Sequence, residues 1–348
     1  MGVTDHPHRR LMRRTTVVDV AQRAGVSLAT VSRVINGTAH VSPDKREQVA
    51  QAMQALDFHP DPMAQGLRRG QSNAVALLVG DIAQRHFAEL TQQVQRALES
   101  QGNDLLLFNL GHEPKRLHDF LDQALRMKLR AVVLATSDSI APSLFKSVHR
   151  LLANAIPVIS LGQDLTRQGI ASIVHEERDA TQRSVDYLIS RGHKQIAYVG
   201  RIRGSAIGRE RFTGYQDAVR KAKLFDEALV WDMSFRYTAG YEAVTQALSA
   251  RLAFSALQAG SDEIAMGAIA ALADHGLRVP HDVAVIGFGN IDLGGYVRPA
   301  LTTLSSNPQT AADHLAQLLS QAPKTKKATP PPCILLERQL IVRTSCGQ

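Results

Sequence analysis

The chain has 348 residues, with 40 Lys and Arg against 32 Asp and Glu, and a net charge of +8. No apolar run reaches the length of about 18 residues that a membrane span needs, and no apolar signal core follows the basic N-terminus. We therefore expect a cytoplasmic protein without a membrane partner. Cys333 and Cys346 form no metal-binding pattern, and phosphate-loop, HExxH and GxSxG motifs are absent. We expect no enzyme activity, no metal and no cofactor.

The segment Thr16–Asn36 has the pattern of two short helices joined by a tight turn. Thr16 and Asp19 have capping-box spacing, which predicts a helix from Val17. Gly25 ends that helix, and Ser27 caps a second helix over 28–36. In a helix-turn-helix, the N-terminal residues of the second helix reach base edges.

A third helix is predicted after Ser42 and Pro43, with an apolar stripe. The stripe comprises Val49, Ala52, Met53 and Leu56. Residues 1–73 contain ten basic and six acidic side chains, so they hold half of the net positive charge. This charge favours phosphate contacts. A helical subdomain without a nucleic-acid role has the same spacing, and the arginines before residue 15 are also compatible with a solvated tail.

Residues 58–73 have the composition of a linker, although Met63, Ala64 and Leu67 have helical spacing. From residue 74 onward, apolar strand patterns alternate with amphipathic helices, as in parallel sheets with both faces covered. The length fits two doubly wound lobes with a ligand between them. The predicted strands are 74–79, 104–108, 131–135, 157–161, 171–175, 195–200, 254–259 and 283–288, and 87–100 is a predicted helix.

Several longer motifs are similar to those of the lac repressor (LacI/GalR) family. They are VVDVAQRAGVSLATVSRVIN (17–36), the following VSPDKREQVAQAMQALDFHPDPMAQGLRRG (41–70), RGHKQIAYVG (191–200), SDEIAMGAIAALADHGLRVPHDVAVIGFGN (261–290), PALTTL (299–304) and LIVRTS (340–345). The resemblance covers nearly the whole chain in order. It implies an all-α helix-turn-helix headpiece and an α/β core of two doubly wound parallel-sheet lobes, like periplasmic binding proteins, with three crossovers.

The resemblance also implies a homodimer that binds a pseudo-palindromic operator in double-stranded DNA. Leu28, Ala29 and Arg33 take the base-reading positions, and Leu67 takes that of a leucine wedged into the central base step. Without the resemblance, Leu67 would be an ordinary packing residue. The full set of expected DNA-binding residues is Val17, Ser27, Leu28, Ala29, Thr30, Ser32, Arg33, Asn36, Ala64 and Leu67.

An effector pocket is implied between the lobes, with Arg211 as its main polar anchor. Phe87 and Phe235 supply apolar walls, and both would otherwise be core residues. The expected effector-binding residues are His86, Phe87, Ser205, Ile207, Arg211, Phe235, Ser261 and Gly289.

Family members that bind neutral sugars often carry Asp where this chain has Gly162 and Gly289, and Asn where it has Ser261. The segment 201–211 adds Arg201, Arg203, Arg209 and Arg211 against Glu210. Fewer carboxylates and more guanidinium groups favour an anionic effector, such as gluconate, a ketogluconate or a sugar phosphate. Solvent-facing arginines are the alternative. The regulator would then respond to a neutral sugar or a nucleobase.

The expected domains are a disordered basic arm (1–14), the headpiece (15–60), a hinge (61–73) and the core (74–348). Lobe one is expected at about 74–170 with 304–333, and lobe two at about 171–303 with 334–348. A more distant alternative is a solute-binding protein, which shares the core fold but needs an export signal and no headpiece. The predicted function is a DNA-binding regulator, acting as a repressor of a carbon-utilisation operon under control of a small molecule.

Overall fold

A computed structural model of the chain describes residues 15–35, 41–58, 72–321 and 330–347. The chain divides between Ser72 and Asn73 into two compact units. In chain order, the helices and strands are α1 Val17–Arg23, α2 Leu28–Ile35, α3 Pro43–Ala55, β1 Ala74–Val79, α4 Arg85–Glu99, β2 Asp104–Asn109, α5 Pro114–Ala124, β3 Ala131–Ala135, α6 Phe145–Ala153, β4 Val158–Leu161, β5 Ala171–His175, α7 Glu177–Ser190, β6 Ile196–Gly200, α8 Ala206–Lys221, β7 Val230–Asp232, α9 Tyr237–Ser249, β8 Ala256–Ala259, α10 Asp262–Asp274, β9 Ala284–Gly289, β10 Thr302–Ser305, α11 Pro308–Gln321, β11 Cys333–Leu336 and β12 Leu340–Ile341.

The first unit is a three-helix headpiece around a small apolar core. The capping box at Thr16 and Asp19 is present, and α1 starts at Val17 as predicted. Val20, Val31 and Val49 are fully buried, one from each helix. Since α1 and α2 are short, this shared burial stabilises them more than their intrinsic propensity does.

Two details of the predicted headpiece differ or are refined. Ser42 stands at the N-cap position of α3, but its side chain accepts no hydrogen bond there. Of the predicted α3 stripe, Val49 and Ala52 are buried, whereas Met53 and Leu56 pack beside them half-buried. Pro43 starts α3, because its missing N–H needs no partner at the first helical position.

The second unit contains two six-stranded sheets, each forming the centre of one lobe. The first sheet has the strand order β2-β1-β3-β4-β5-β11 and is parallel throughout. On β1, Val75, Leu77 and Val79 pack against α4 and α11, while Ala76 and Leu78 face the opposite layer. Both faces are therefore covered, which explains why β1 is an uninterrupted apolar run.

The second sheet has the order β7-β6-β8-β9-β10-β12, with only β12 antiparallel to its neighbour. Helices α9 and α10 cover one face and α7 and α8 the other. Gly240 and Gly267 let α9 and α10 approach closely, because a Cβ at either position would lie 1.9 Å from a carbonyl oxygen of the facing helix. No helix in the described part of the chain is long and apolar enough to cross a membrane.

The chain crosses between the lobes three times, at 175–177, 305–308 and 336–340. The sheets move two of the expected lobe boundaries. Strand β5 (Ala171–His175), expected in lobe two, pairs with β4 in the first sheet. Strand β11 (Cys333–Leu336), most of which was also expected in lobe two, pairs with β5 in the same sheet. Parallel pairing, which depends on neighbours distant in sequence, decides which lobe a strand near a crossover joins.

Candidate functional site

The N-terminal half of α2 forms an exposed face on the headpiece. Leu28 is 49% exposed, and Ser27, Ala29 and Arg33 are exposed beside it. The Ser27 hydroxyl accepts a hydrogen bond from the backbone N–H of Thr30 at 3.2 Å, which fixes the start of the helix. An exposed leucine beside polar and basic side chains is suited to the floor of a DNA groove.

The other predicted DNA-binding residues divide into two groups. Thr30 and Ser32 lie on α2 and Val17 starts α1; all three are half-buried, and Val17 packs against the apolar core of the headpiece. Asn36, Ala64 and Leu67 lie outside the described residues, as do the expected arm (1–14) and most of the expected hinge.

Within the second unit, a cleft opens between the ends of the two sheets. It holds about 900 Å³ of empty space, including the open solvent at its mouth. The predicted residues that line it are His86, Phe87, Ile207, Arg211, Phe235, Ser261 and Gly289. They come from both lobes and from chain segments far apart in sequence.

Ser205 is the predicted residue that does not line the cleft. Its hydroxyl accepts from the backbone N–H of Gly208 at 2.9 Å and donates to the carbonyl oxygen of Ser137 at 3.1 Å. The side chain is fully buried. Ser205 therefore caps α8 and joins the lobes, because both its hydrogen-bonding directions are used internally.

Two arginines and one glutamate form the main charged cluster of the cleft. Glu177 Oε2 lies 2.8 Å from Nε of Arg211, and its Oε1 lies 2.7 Å from Nη2 of Arg338. Both guanidinium groups also stack on the ring of Phe288, at 3.7 Å for Arg211 and 4.6 Å for Arg338. Although burial opposes ionisation, the two arginines hold the pKa of Glu177 well below its ordinary value.

Two histidines beside this cluster are neutral at ordinary pH. Burial, with the positive charges of Arg338 and Arg211, lowers the pKa of His86 to about 4. Burial and Arg338 likewise lower the pKa of His175 to about 3. The imidazole rings therefore add no charge to the cleft unless a ligand brings a negative charge to them.

Gly162 and Gly289 line the cleft with backbone conformations that side chains rarely adopt. Their φ angles are +115° and +129°. At Gly162 a Cβ would also lie 2.9 Å from Cδ1 of Ile207. The backbone conformation at both positions therefore favours glycine over aspartate, since an aspartate there would be strained.

The arginine-rich segment 201–211 contributes only Arg211 to the cleft. Arg201 pairs with Asp138, Arg203 pairs with Asp232, and Arg209 donates to the hydroxyl of Ser139. These arginines therefore do not supply the positive potential that the sequence suggested for the ligand. Arg201 and Arg203 are paired with carboxylates, and Arg209, which keeps its charge, lies outside the cleft.

Sequence reasoning missed Glu177, Arg338 and Phe288. Phe288 belongs to the VIGFGN motif, of which only Gly289 was expected at the site, and Glu177 and Arg338 lie in two crossovers. Nothing local marks them as partners, because Arg338 and Glu177 are 161 positions apart in sequence. Among the described residues, no group of three or more His, Cys, Asp or Glu side chains is arranged to hold a metal ion.

Comparison with known proteins adds an independent line of evidence. Residues 16–61 match the family model of bacterial regulatory proteins of the lacI family, and residues 185–346 match a periplasmic binding protein-like domain. Catabolite control protein A of Priestia megaterium is 30% identical over 292 residues, covering 83% of this chain and 86% of its own. The transcriptional repressor PurR of Actinobacillus pleuropneumoniae serotype 3 is 28% identical over 95% of this chain and 98% of its own.

A solved structure has the same architecture. The lac repressor dimer bound to operator and the anti-inducer ONPF superimposes with a TM-score of 0.84 at 24% identity. The match covers 97% of this chain and all of that one. The predicted fold class is confirmed.

Proposed function

The chain belongs to the lacI family of bacterial regulatory proteins and is a DNA-binding transcriptional regulator, and we propose that an anionic small molecule controls it. The proposed class is a sugar acid or another anionic sugar derivative. We propose further that the chain acts as a homodimer on a pseudo-palindromic operator and represses a carbon-utilisation operon. Family membership supports a regulator rather than an enzyme.

The proposal of an anionic effector rests on an imbalance of charge around Glu177. One carboxylate pairs with two guanidinium groups, Arg211 and Arg338, whose side chains are only 13% and 2% exposed, so this cluster retains one positive charge away from solvent. A buried charge is costly unless it is paired. The cleft's other carboxylate, Glu263, accepts a hydrogen bond from the backbone N–H of Arg85 at 3.0 Å and is not an ion-pair partner of either arginine, so the positive excess is local to the cluster around Glu177. A ligand carboxylate or phosphate would compensate the remaining charge.

The walls of the cleft favour a ligand with a compact carbon skeleton. Phe87 and Phe235 present rings to it, and the hydroxyls of Thr136, Ser261 and Ser306 lie among its lining residues. Apolar walls with a few polar groups are usual for small-molecule pockets. A neutral sugar or a nucleobase also fits such walls, but neither brings a negative charge to pair with the second guanidinium group.

Homodimerisation is supported by an exposed apolar edge on the first lobe. Strand β2 lies at the edge of its sheet, and its Leu106 and Leu107 are 38% and 42% exposed. Edge strands with exposed leucines are usually covered by a partner. A two-fold dimer would match a pseudo-palindromic operator, with the exposed face of α2 in the major groove of each half-site.

Calorimetric titration of the purified full chain tests the effector class. Gluconate, 2-ketogluconate and glucose 6-phosphate are compared with glucose and with hypoxanthine under identical conditions. We expect at least one anion to bind and the neutral compounds not to. Binding of a neutral compound alone would overturn the anionic effector and leave the regulator assignment standing.

Gel shifts with operator DNA test the proposed homodimer, the symmetry of its operator and the response of DNA binding to the anion. The operator is selected from random duplexes by the purified protein, and the shift is measured with and without the binding anion. We expect a dimer on a two-fold-symmetric site and release of the DNA by the anion. A monomeric complex, or a site without two-fold symmetry, would contradict the homodimer.

A further inference from the structure

Arg338 connects all three crossovers between the lobes. It stands in the third crossover, its Nη1 donates to the carbonyl oxygen of Ser305 in the second at 2.6 Å, and its Nη2 donates to Glu177 in the first at 2.7 Å. Its backbone N–H also donates to Glu176 at 2.8 Å. The crossovers are the segments about which the lobes must move, so one side chain holds the hinge together.

The same side chain also reaches the ligand cleft. Arg338 lines the cleft, and only 2% of its side chain is exposed. Among the residues that the structure describes, its Nε finds no hydrogen-bond partner, and neither do His175 Nε2 and Ser137 Oγ, which line the same cleft. Buried donors in native proteins are almost always satisfied, so an unpartnered guanidinium nitrogen beside a cavity indicates a missing acceptor.

We infer that Arg338 binds the negatively charged group of the effector through Nε and transmits its presence to the hinge. This inference rests on the proposed anionic effector and adds the residue that senses it. Nη2 and Nη1 of Arg338 bind the first and second crossovers, and Nε is the nitrogen that binds the ligand. A ligand anion therefore stabilises the lobe arrangement in which all three crossovers are tied, at the expense of arrangements in which they separate.

The neighbouring groups fit this role. Arg211 supplies the second cation, and His86 and His175, which are neutral without ligand, offer ring nitrogens to an acceptor. Glu177 keeps the two guanidinium planes stacked on Phe288, so that Arg338 is held in place before the ligand arrives. A preorganised donor loses little side-chain freedom on binding.

The test compares R338K and R338M with the native chain. Lysine keeps the charge but lacks the Nε donor, and methionine removes both. We expect R338M to weaken the binding of gluconate, or of whichever anion the native chain binds, by about thirtyfold or more. R338K should recover part of that loss. Both variants should reduce the ratio between operator affinities measured with and without the anion.

R278M is the matched control, because Arg278 pairs with Asp282 on the exposed surface of the second lobe and lies outside both the cleft and the crossovers. It should leave the anion affinity and the operator ratio unchanged. Native anion affinity in R338M, or an operator ratio equal to that of the native chain, would overturn the inference.

Failure of the proposed effector gives a different result. If the native chain binds only a neutral ligand, the anionic effector is wrong. The role of Arg338 at the hinge is then tested separately, by the ratio of operator affinities measured with and without that neutral ligand. An unchanged ratio in R338M then removes the hinge role as well, whereas a lost ratio retains it. Thermal unfolding of each variant, measured without ligand, separates weak binding from loss of the fold.

Discussion

Replacing Glu177 with glutamine removes the one negative charge that two buried guanidinium groups share. Glu177 is 5% exposed, and its oxygens lie 2.8 Å from Arg211 Nε and 2.7 Å from Arg338 Nη2. The amide keeps the volume but turns one acceptor into a donor facing a donor. Breaking a buried ion pair from one side costs about 3–5 kcal/mol. E177Q should therefore lower the free energy of unfolding by that amount, raising the unfolding constant by roughly two to four orders of magnitude.

Urea unfolding followed by fluorescence measures this loss. Trp231 is the only tryptophan of the sequence, and it packs edge-on against Phe254 with ring centroids 5.4 Å apart, in the same lobe as Glu177. The control is D119N, which removes the exposed ion pair with Lys115 and should not move the midpoint. A loss below about 1 kcal/mol for E177Q would refute the reasoning, because exposed pairs already reach that value.

The same variant has an opposite effect on the ligand. With Glu177 neutral, Arg211 and Arg338 both lack a counter-charge, so a folded E177Q protein should bind the anion more tightly than the native chain. Calorimetry of the two proteins side by side measures the difference. Unchanged or weaker binding would contradict this expectation, which requires the gained positive charge to outweigh the lost positioning of Arg338 by Glu177.

Three further predictions concern other parts of the chain. G267A should lower the stability of the second unit by at least about 2 kcal/mol in urea unfolding, because its Cβ would lie 1.9 Å from a facing carbonyl oxygen. That stability should fall as the pH decreases from about 6.5 to about 4, since His86 and His175 bind protons at ordinary pKa only when unfolded. Asp262, whose pKa burial raises to about 6, offsets part of the slope. R33A should weaken operator binding about 5- to 150-fold in gel shifts and relax specificity at one base pair.

Each of these has a clear contrary outcome. Native stability of G267A would mean that α9 and α10 separate at no cost. A pH profile that H86Q does not flatten would assign the acid sensitivity to other groups. Equal loss of R33A affinity for every duplex would make Arg33 a phosphate contact rather than a base reader.

Much of the fold follows from local patterns. The capping box at Thr16 and the glycine of the turn place the headpiece helices, and the apolar run of β1 requires a sheet covered on both faces. The strands β7, β10, β11 and β12 were not predicted. They have two to four residues each, too few for a periodic pattern, and they exist because neighbouring strands supply their hydrogen bonds.

The candidate site was less predictable. The resemblance placed most of the cleft residues, but it also transferred Ser205, whose hydroxyl is used inside the fold. The charge count of segment 201–211 included Arg201, Arg203 and Arg209, which ion pairs and a hydrogen bond engage elsewhere. Residue type alone does not show whether an arginine is already paired. That information lies in the three-dimensional positions of carboxylates far away in sequence.

The sequence by itself determined the helix-turn-helix and the alternation of strands and helices, because these depend on spacing within a few turns or strands, and its family resemblance placed Arg211 at the cleft. Only the tertiary structure decided that Arg338 meets Glu177 across 161 positions and stands where three crossovers converge on the cleft. The physical reason is that burial and pairing are properties of the assembled chain. An arginine side chain can be a solvated surface charge at one position, whereas at position 338 it is buried with one donor, Nε, left without a partner among the described residues.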